Sequence, residues 1–171
     1  MAFVEANVEE LDLNPFVKIG REWMLVTGGS SVDACNTMTA SWGGMGVIWG
    51  KNVATIYLRP QRYTKPFVER QGGFTLSLFG GTNEHEAMGL LGTVSGRDVP
   101  DKIAQSGLTP VQVEGGVAFE EAELVLVCRT LYTDEIDPAR FVDTSCDAAN
   151  YPEHDYHTMY IAEVQRALVR E

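Results

Sequence analysis

The sequence is poor in positive charge. It has 13 Lys and Arg against 24 Asp and Glu, a formal net charge of −11 over 171 residues. Such a chain repels phosphate backbones and anionic membrane surfaces, which excludes nucleic acid and membranes as general partners. It also lacks an apolar run near the roughly 18 to 20 residues of a membrane span, and its acidic N-terminal segment lacks the layout of a signal peptide. We therefore expect a cytoplasmic protein.

Cysteine and catalytic motifs are scarce as well. The three cysteines, Cys35, Cys128 and Cys146, are odd in number and show no CxxC spacing, so they indicate neither a disulfide framework nor a zinc site. There is no GxSxG, no P-loop and no dinucleotide-binding glycine motif, which disfavours hydrolases and kinases. The groups that remain to form a binding site are hydroxyls, arginine side chains and the backbone. They can hold a phosphorylated planar cofactor, which would then carry the chemistry.

The sequence does contain many short strand-like runs separated by glycine turns. The runs indicate strands over 23–27, 35–42, 53–58, 74–79, 124–131 and 159–168. Further turns are predicted at the glycine pairs 28–29, 43–44 and 80–81, and a hairpin at 115–116. Residues 1–171 are expected to form a single domain. A mainly β, antiparallel barrel or sandwich with connecting helices is favoured over a doubly wound sheet.

Three short helices are predicted between these strands. A capping residue opens each helix, and a glycine ends two of them. The predicted starts are Asn83 with Glu86 as a capping box, Asp98 with Asp101, and Thr64 ahead of Pro66; the predicted ends are about Leu91, Gly107 and Gly72.

A first candidate site is the strand over 35–42. Its period of two places Thr37, Thr39 and Ser41 on one face, and Met38, Ala40 and Trp42 on the other. The hydroxyl face is either an ordinary solvent-facing strand surface or a polar wall for a planar ligand. The glycines at 43, 44 and 46 would let such a ligand approach the backbone closely.

Two further segments combine arginine, hydroxyl and a predicted helix start, which is the chemistry of an anion site. One is 59–64, with Arg59 and Arg62, and the other is 95–98, with Lys102 one turn later. Surface ion pairing is the alternative for the first segment. The alternative for the second segment is that Asp98 caps the helix and pairs with Arg97.

His154 and His157 are three residues apart. The spacing is a weak metal signal, because the pair precedes a strand and no Cys or HExxH element accompanies it. His157 is better explained as a donor to a ligand, or as an ordinary structural histidine.

Together, the segments 36–42, 59–64, 95–98 with Lys102, and 155–161 resemble the flavin reductase-like family of FMN-binding split-barrel proteins. The likeness spans roughly 23–169 and rests on four motifs in the right order. It implies an antiparallel Greek-key split β-barrel with short connecting helices. It also implies a homodimer, FMN as cofactor in preference to FAD, and a nicotinamide nucleotide or a redox protein as electron donor.

The resemblance also implies roles for individual residues. The isoalloxazine ring would be lined by Thr37, Met38, Thr39, Ala40, Ser41 and Trp42. The phosphate end would be held by Arg59, Pro60, Gln61, Arg62, Tyr63, Thr64, Ser95, Gly96, Arg97, Asp98 and Lys102. His157 would be the catalytic residue, at the flavin face where nicotinamide docks, and no metal is expected.

Three functions follow as hypotheses, because one fold hosts several activities. The first is an FMN-dependent oxidoreductase that takes hydride from NAD(P)H and reduces free flavin or a small acceptor. The second is a non-enzymatic FMN electron carrier that exchanges electrons with redox proteins. The third is a flavin-free barrel that binds another small molecule.

Overall fold

A computed structural model describes residues 2–171. Its strands are β1 Phe3–Ala6, β2 Met24–Gly28, β3 Asn36–Ala40, β4 Gly43–Ile48, β5 Lys51–Leu58, β6 Gly73–Leu78, β7 Pro110–Val113, β8 Gly116–Phe119, β9 Leu124–Glu135 and β10 Thr158–Arg170. Its helices are α1 Pro15–Gly20, α2 Lys65–Gln71, α3 His85–Thr93, α4 Lys102–Ser106 and α5 Thr144–Asn150. No helix in this part of the chain is both long and apolar enough to cross a membrane.

The strands form one antiparallel sheet in the order β3-β2-β6-β9-β10-β5-β4, with β1 also paired to β10 and β7 paired to β8 as a separate hairpin. The mainly β, antiparallel fold class with short helices is confirmed. β10 is 13 residues long and changes register at Ile161/Ala162 and at Val164/Arg166. These irregularities bend the strand, so that its first half pairs with β5 and its last residues pair with β1.

The two ends of this sheet are β3 and β4, which are also neighbours in sequence. Only Ser41 and Trp42 separate Ala40 from Gly43. Three Cα steps span at most about 11 Å, so the two edges must lie close together and the sheet must curl. The curled sheet therefore has a gap between β3 and the β5–β4 side, and this gap positions the candidate site.

The interior of the curled sheet is apolar. Phe74, Leu76 and Ile56 are almost wholly buried there together with the side chains of Met38 and Ala40 from β3. A second apolar cluster covers the outside of β2, β6 and β9, where α3 and the β7–β8 hairpin pack over the sheet. Of the helices, α3 covers this outer face, whereas Ile19 of α1 and Val68 of α2 belong to the interior cluster.

Several sequence predictions need correction. The glycines at 43 and 44 do not form a turn but begin β4, which pairs with β5. The close approach of the two strands explains the glycine at 43, because a Cβ there would lie 2.7 Å from the carbonyl oxygen of Thr55. The turn lies at Trp49 and Gly50, which both have positive φ (54° and 66°), as a two-residue hairpin requires. β1, β4, α1 and α5 were not predicted from the sequence.

Two of the predicted helix starts are wrong. Asn83 and Glu86 form no capping box: the N-cap of α3 is Glu84, which makes no side-chain cap. Asp98 does not cap α4, whose N-cap is Asp101. Thr64 does precede α2, and the prediction that glycines end α2 and α4 is confirmed: Gly72 and Gly107 adopt positive φ at their C-termini.

Candidate functional site

A groove runs along the gap beside β3. Its two parts have volumes of about 230 and 400 Å³ and share Met38, Arg59 and Arg62. The first part is lined by Met38, Thr39, Ala40, Ser41, Trp42, Tyr57, Arg59, Arg62 and His157. The second part is lined by Asn36, Met38, Arg59, Gln61, Arg62, Tyr63, Thr64, Leu91, Thr93, Val94, Ser95 and Lys102.

β3 presents its backbone edge to this groove. The strand pairs with β2 alone among the strands of residues 2–171, so its other edge keeps unpaired N–H and C=O groups. Its threonine hydroxyls bond elsewhere: Thr37 Oγ1 donates to the carbonyl oxygen of Val26 (3.2 Å), and Thr39 Oγ1 donates to that of Met88 in α3. Thr37 is fully buried and Thr39 is half-buried, whereas Ser41 is exposed, so the solvent-facing interpretation is wrong for Thr37.

Two cations with no acidic partner line the second part of the groove. The Lys102 ammonium donates to the carbonyl oxygens of Leu91 (3.1 Å) and Val94 (2.9 Å), and Arg62 donates to that of Gly92 (2.6 Å). These carbonyls lie at the C-terminal end of α3, where helix carbonyls are unpaired. Within residues 2–171, neither cation lies within ion-pair distance of an Asp or Glu, although Lys102 is only 2% exposed.

Burial acts on the pKa of both groups. It lowers the pKa of Lys102 to about 8, with a further contribution from the positive charge of Arg62. The pKa of Arg62 is also lowered, by burial first and then by Arg59. Burying a charge without a counter-ion is unfavourable, so this pair of cations favours an anion between them.

Arg59 has a different role from Arg62. It forms an ion pair with Asp155 and donates to the carbonyl oxygen of Asn150 (2.8 Å). Gln61 also donates to Asp155 (2.6 Å), and the hydrogen bonds from Gln61 and Arg59 hold the pKa of that carboxyl below its usual value. Of the two interpretations of segment 59–64, ion pairing applies to Arg59. Through this ion pair Arg59 anchors the segment before β10 to the end of β5.

His157 faces β3 across the first part of the groove. Its ring centroid lies 5.1 Å from that of Trp42, and its Nδ1 lies 2.8 Å from the hydroxyl oxygen of Tyr151. Burial is the main cause that lowers the pKa of His157 to about 4, and the positive charge of Arg59 adds to it. The imidazole is therefore neutral at pH 7. His154 is exposed and bonds to Tyr156 instead (3.2 Å).

The chain is similar to known proteins in structure but not in sequence. No protein-family model and no curated protein matches the sequence. An FMN-binding domain of a flavin reductase-like enzyme from Shewanella baltica OS155 superposes with a TM-score of 0.68 at 16% identity, covering 98% of this chain and 77% of that chain. The chain has the fold of the FMN-binding flavin reductase-like barrels.

Two flavoredoxins share this barrel fold. The flavoredoxin of Desulfovibrio vulgaris (Miyazaki F) has a TM-score of 0.66 at 22% identity, covering 98% of this chain and 78% of that chain. The flavoredoxin of Methanosarcina acetivorans has a TM-score of 0.64 at 19% identity, covering 96% of this chain and 77% of that chain. The barrel fold thus hosts both an enzyme-like protein and flavoredoxins, so it does not by itself decide the activity.

The groove of this barrel brings together most of the residues that the sequence singled out. Five of them do not line it: Thr37, Pro60, Gly96, Arg97 and Asp98. Gly96 has a supporting role, because a Cβ there would lie 2.2 Å from Oδ1 of Asn36. Arg97 and Asp98 are exposed, and Arg97 lies over the ring of Tyr63 (5.3 Å).

The sequence interpretation missed three kinds of lining residue, and a tyrosine that bonds to one of the lining residues. Asn36 donates from Nδ2 to the hydroxyl of Thr64 (2.7 Å) and so ties the start of β3 to α2. Tyr57 lies two residues before Arg59, so the strand period of two could have placed it on the same face. The end of α3 carries no local signal, because only the packing of distant segments brings it to the groove. The same holds for Tyr151, which bonds to His157 but does not line the groove.

An apolar cavity of about 640 Å³ adjoins the groove and shares Ser41, Trp42 and Tyr57 with it. Phe16 and Ile19 of α1 form its far side, and none of its lining residues is charged. In this barrel the Trp42 end of the groove is therefore apolar and the Lys102 end is cationic, which suits a ligand with a planar ring and an anionic tail.

Proposed function

We propose that the protein binds FMN in the groove beside β3 and acts as an NAD(P)H-dependent oxidoreductase of the flavin reductase type. The observation that carries the proposal is the pair of the half-buried Arg62 and the buried Lys102, neither of which has an acidic partner within residues 2–171. In a chain of net charge −11, two such cations need a bound anion, and a phosphate offers oxygens to both at once.

The rest of the groove fits the ring of the same molecule. The free edge of β3 offers backbone donors and acceptors in a row, which matches the alternating polar atoms along one side of an isoalloxazine ring. Met38 and Ala40 keep their side chains in the core, so this edge stays open. Trp42 and Tyr57 flank the ring end with aromatic surface.

Bound FMN would accept hydride from the nicotinamide and pass electrons to free flavin or a small acceptor. The residues of this chain bind and orient. Arg62 and Lys102 hold the phosphate, and the backbone of β3 fixes the plane of the ring. Trp42 restricts water at the ring end, and His157 donates a hydrogen bond to the nicotinamide from across the groove.

A second function is an electron carrier that exchanges electrons with redox proteins and turns over no nicotinamide. The observation in its favour is that two proteins of the same fold are flavoredoxins. The acidic surface also suits docking to a basic redox partner.

One experiment separates these functions. The purified protein is expected to show flavin absorption, either as isolated or after addition of FMN, and to be bleached by NADH or NADPH in anaerobic stopped flow. Bleaching by a reduced redox protein, but by neither nicotinamide, would identify the carrier. A protein that stays colourless after titration with FMN would contradict both functions.

We also propose that the protein is a homodimer. Val47, Trp49 and Tyr132 are 72%, 59% and 42% exposed, and the ring centroids of Trp49 and Tyr132 lie 6.3 Å apart in an edge-to-face arrangement. Together with Phe16, which is 87% exposed beside the apolar cavity, they leave more aromatic surface in water than a monomer usually does.

Light scattering of the FMN-bound protein at micromolar concentration is expected to give twice the mass of the 18.8 kDa chain. Trp49→Glu is expected to shift this mass toward that of the monomer, because it places a charge in the apolar face. A wild-type mass near that of one chain would contradict the dimer.

A further inference from the structure

A buried tyrosine holds the histidine of the groove. Tyr151 ends α5 and is only 4% exposed. Its hydroxyl oxygen lies 2.8 Å from Nδ1 of His157, and the two rings are nearly perpendicular, with centroids 5.5 Å apart. Nothing in the sequence motifs of the site includes this residue.

The direction of this hydrogen bond depends on which of the two groups carries the proton. Burial raises the pKa of Tyr151, against a smaller lowering effect of the positive charge of Arg59. The phenol therefore keeps its proton at neutral pH. The imidazole of His157 is neutral there as well, with its pKa lowered to about 4 by burial. A neutral imidazole carries one ring proton, which is either on Nδ1 or on Nε2, and the other nitrogen is bare.

The partners of the Tyr151 hydroxyl decide between the two arrangements. Within residues 2–171 this hydroxyl makes one hydrogen bond, the one to Nδ1 of His157 (2.8 Å). The buried phenol proton has no other acceptor there, so the O–H donates to Nδ1. A bare Nδ1 places the ring proton on Nε2.

The other ring nitrogen is open to the groove. His157 lines the first part of the groove opposite β3, and within residues 2–171 its Nε2 makes no side-chain hydrogen bond. Trp42, at 5.1 Å between ring centroids, is the aromatic neighbour on that side. A ligand in the groove therefore meets Nε2 and not Nδ1.

We propose that Tyr151 is a positioning residue that holds His157 as the Nε2–H tautomer, so that His157 presents a fixed hydrogen-bond donor to a carbonyl or anionic oxygen of the ligand. The role of that donor in hydride transfer rests on the proposed function. The tautomer itself does not.

The surroundings of Tyr151 hold it in place. The guanidinium of Arg59 lies 5.3 Å from the centre of its ring, and the ring of Tyr156 packs at 4.7 Å. The charges that act on His157 are Arg59 and Arg62, which disfavour its protonation, and Asp155, which favours it. Because Asp155 is paired with Arg59, the neutral ring is stable through the pH range of most assays.

Nitrogen-15 NMR of the uniformly labelled full chain tests the tautomer directly. The protein has three histidines, so His157→Asn assigns the resonances of His157 by their loss. In the wild type we expect a bare Nδ1 and a protonated Nε2. Tyr151→Phe is expected to mix the two tautomers. Tyr156→Phe removes a neighbouring phenol that bonds to Asp147 and to His154, and it is expected to leave the resonances of His157 unchanged.

Anaerobic stopped flow gives the functional readout. Tyr151→Phe is expected to slow reduction of bound flavin by about three- to tenfold, as for one weakened hydrogen bond, with FMN affinity within about threefold of wild type. The wild-type spectrum alone overturns the proposal if Nδ1 carries the proton, even if Tyr151→Phe fails to fold. A tautomer unchanged in a folded Tyr151→Phe would also overturn it. The expected tautomers without reduction by NADH or NADPH would support the positioning role and overturn the proposed activity.

Discussion

Replacing Arg62 or Lys102 with Met is expected to weaken FMN binding by about 10- to 150-fold in each case. Each change removes a charge-assisted contact to phosphate, worth about 1.5 to 3 kcal/mol. Both cations are partly or fully buried and bond only to backbone carbonyls at the end of α3, so no other group compensates for the loss. Quenching of flavin fluorescence on titration measures the dissociation constant.

Two controls make this result specific. Arg97→Met removes an exposed cation outside the groove and is expected to leave FMN affinity within about threefold of wild type. Riboflavin, which lacks the phosphate, is expected to bind the wild type and the Lys102→Met variant equally. If Arg62→Met and Lys102→Met both bind FMN like the wild type, the phosphate lies elsewhere.

Lys102 also makes FMN binding dependent on pH. Its pKa in the ligand-free protein is about 8, below the ordinary 10.5. The unfolded chain therefore holds this proton more firmly, so the ligand-free protein gains stability as the pH rises from about 8 to 10.5. FMN affinity is expected to fall over the same window, by up to about tenfold per pH unit, because the uncharged amine no longer attracts the phosphate. Lys102→Met is expected to abolish this dependence.

Replacing His157 with Ala is expected to slow flavin reduction by NAD(P)H by about tenfold or more, with FMN affinity within about threefold of wild type. The side chain lines the first part of the groove and not the second part, where Lys102 and the end of α3 lie. It therefore contributes to the approach of the nicotinamide and not to retention of the cofactor, and losing one such contact has this magnitude. Anaerobic stopped flow measures the rate and a fluorescence titration measures the affinity.

His154→Ala is the matched control, because His154 is an exposed histidine three residues away that does not line the groove. It is expected to leave both quantities unchanged. The contribution of His157 is expected to be constant between about pH 6 and 8, since its pKa is about 4. For the same reason the folded state loses stability as the pH falls from 6.5 toward 4. If His157→Ala lost FMN while the remaining holoprotein was reduced at the normal rate, His157 would be a residue that retains the cofactor and not one that positions the nicotinamide.

Local sequence patterns determined most of the strands, though not β1 and β4, and two helix ends. The alternation within 35–42 separates Met38 and Ala40, which enter the core, from Thr37 and Thr39, which do not. Gly72 and Gly107 end their helices with positive φ, a conformation that other residues adopt at a cost. Near neighbours in the chain decide such features, so the residue types alone were sufficient for them.

Charge pairing, in contrast, depended on the fold. Arg59 and Arg62 look equivalent in the sequence, but Arg59 is neutralised by Asp155, 96 residues further on, while Arg62 meets only backbone carbonyls. Which of the two is available to a phosphate is thus a property of the tertiary structure. The same holds for Lys102, whose burial under the end of α3 lowers its pKa.

The site itself exists only because the sheet closes. Six strands and the order of the motifs could be predicted from the sequence, since alternation and turn chemistry are local. The groove requires β3 and β4 to be opposite edges of one sheet, although two residues separate them in the chain. That arrangement depends on pairings between distant segments, above all of β10 with β5, β9 and β1, and no local pattern specifies which strands pair.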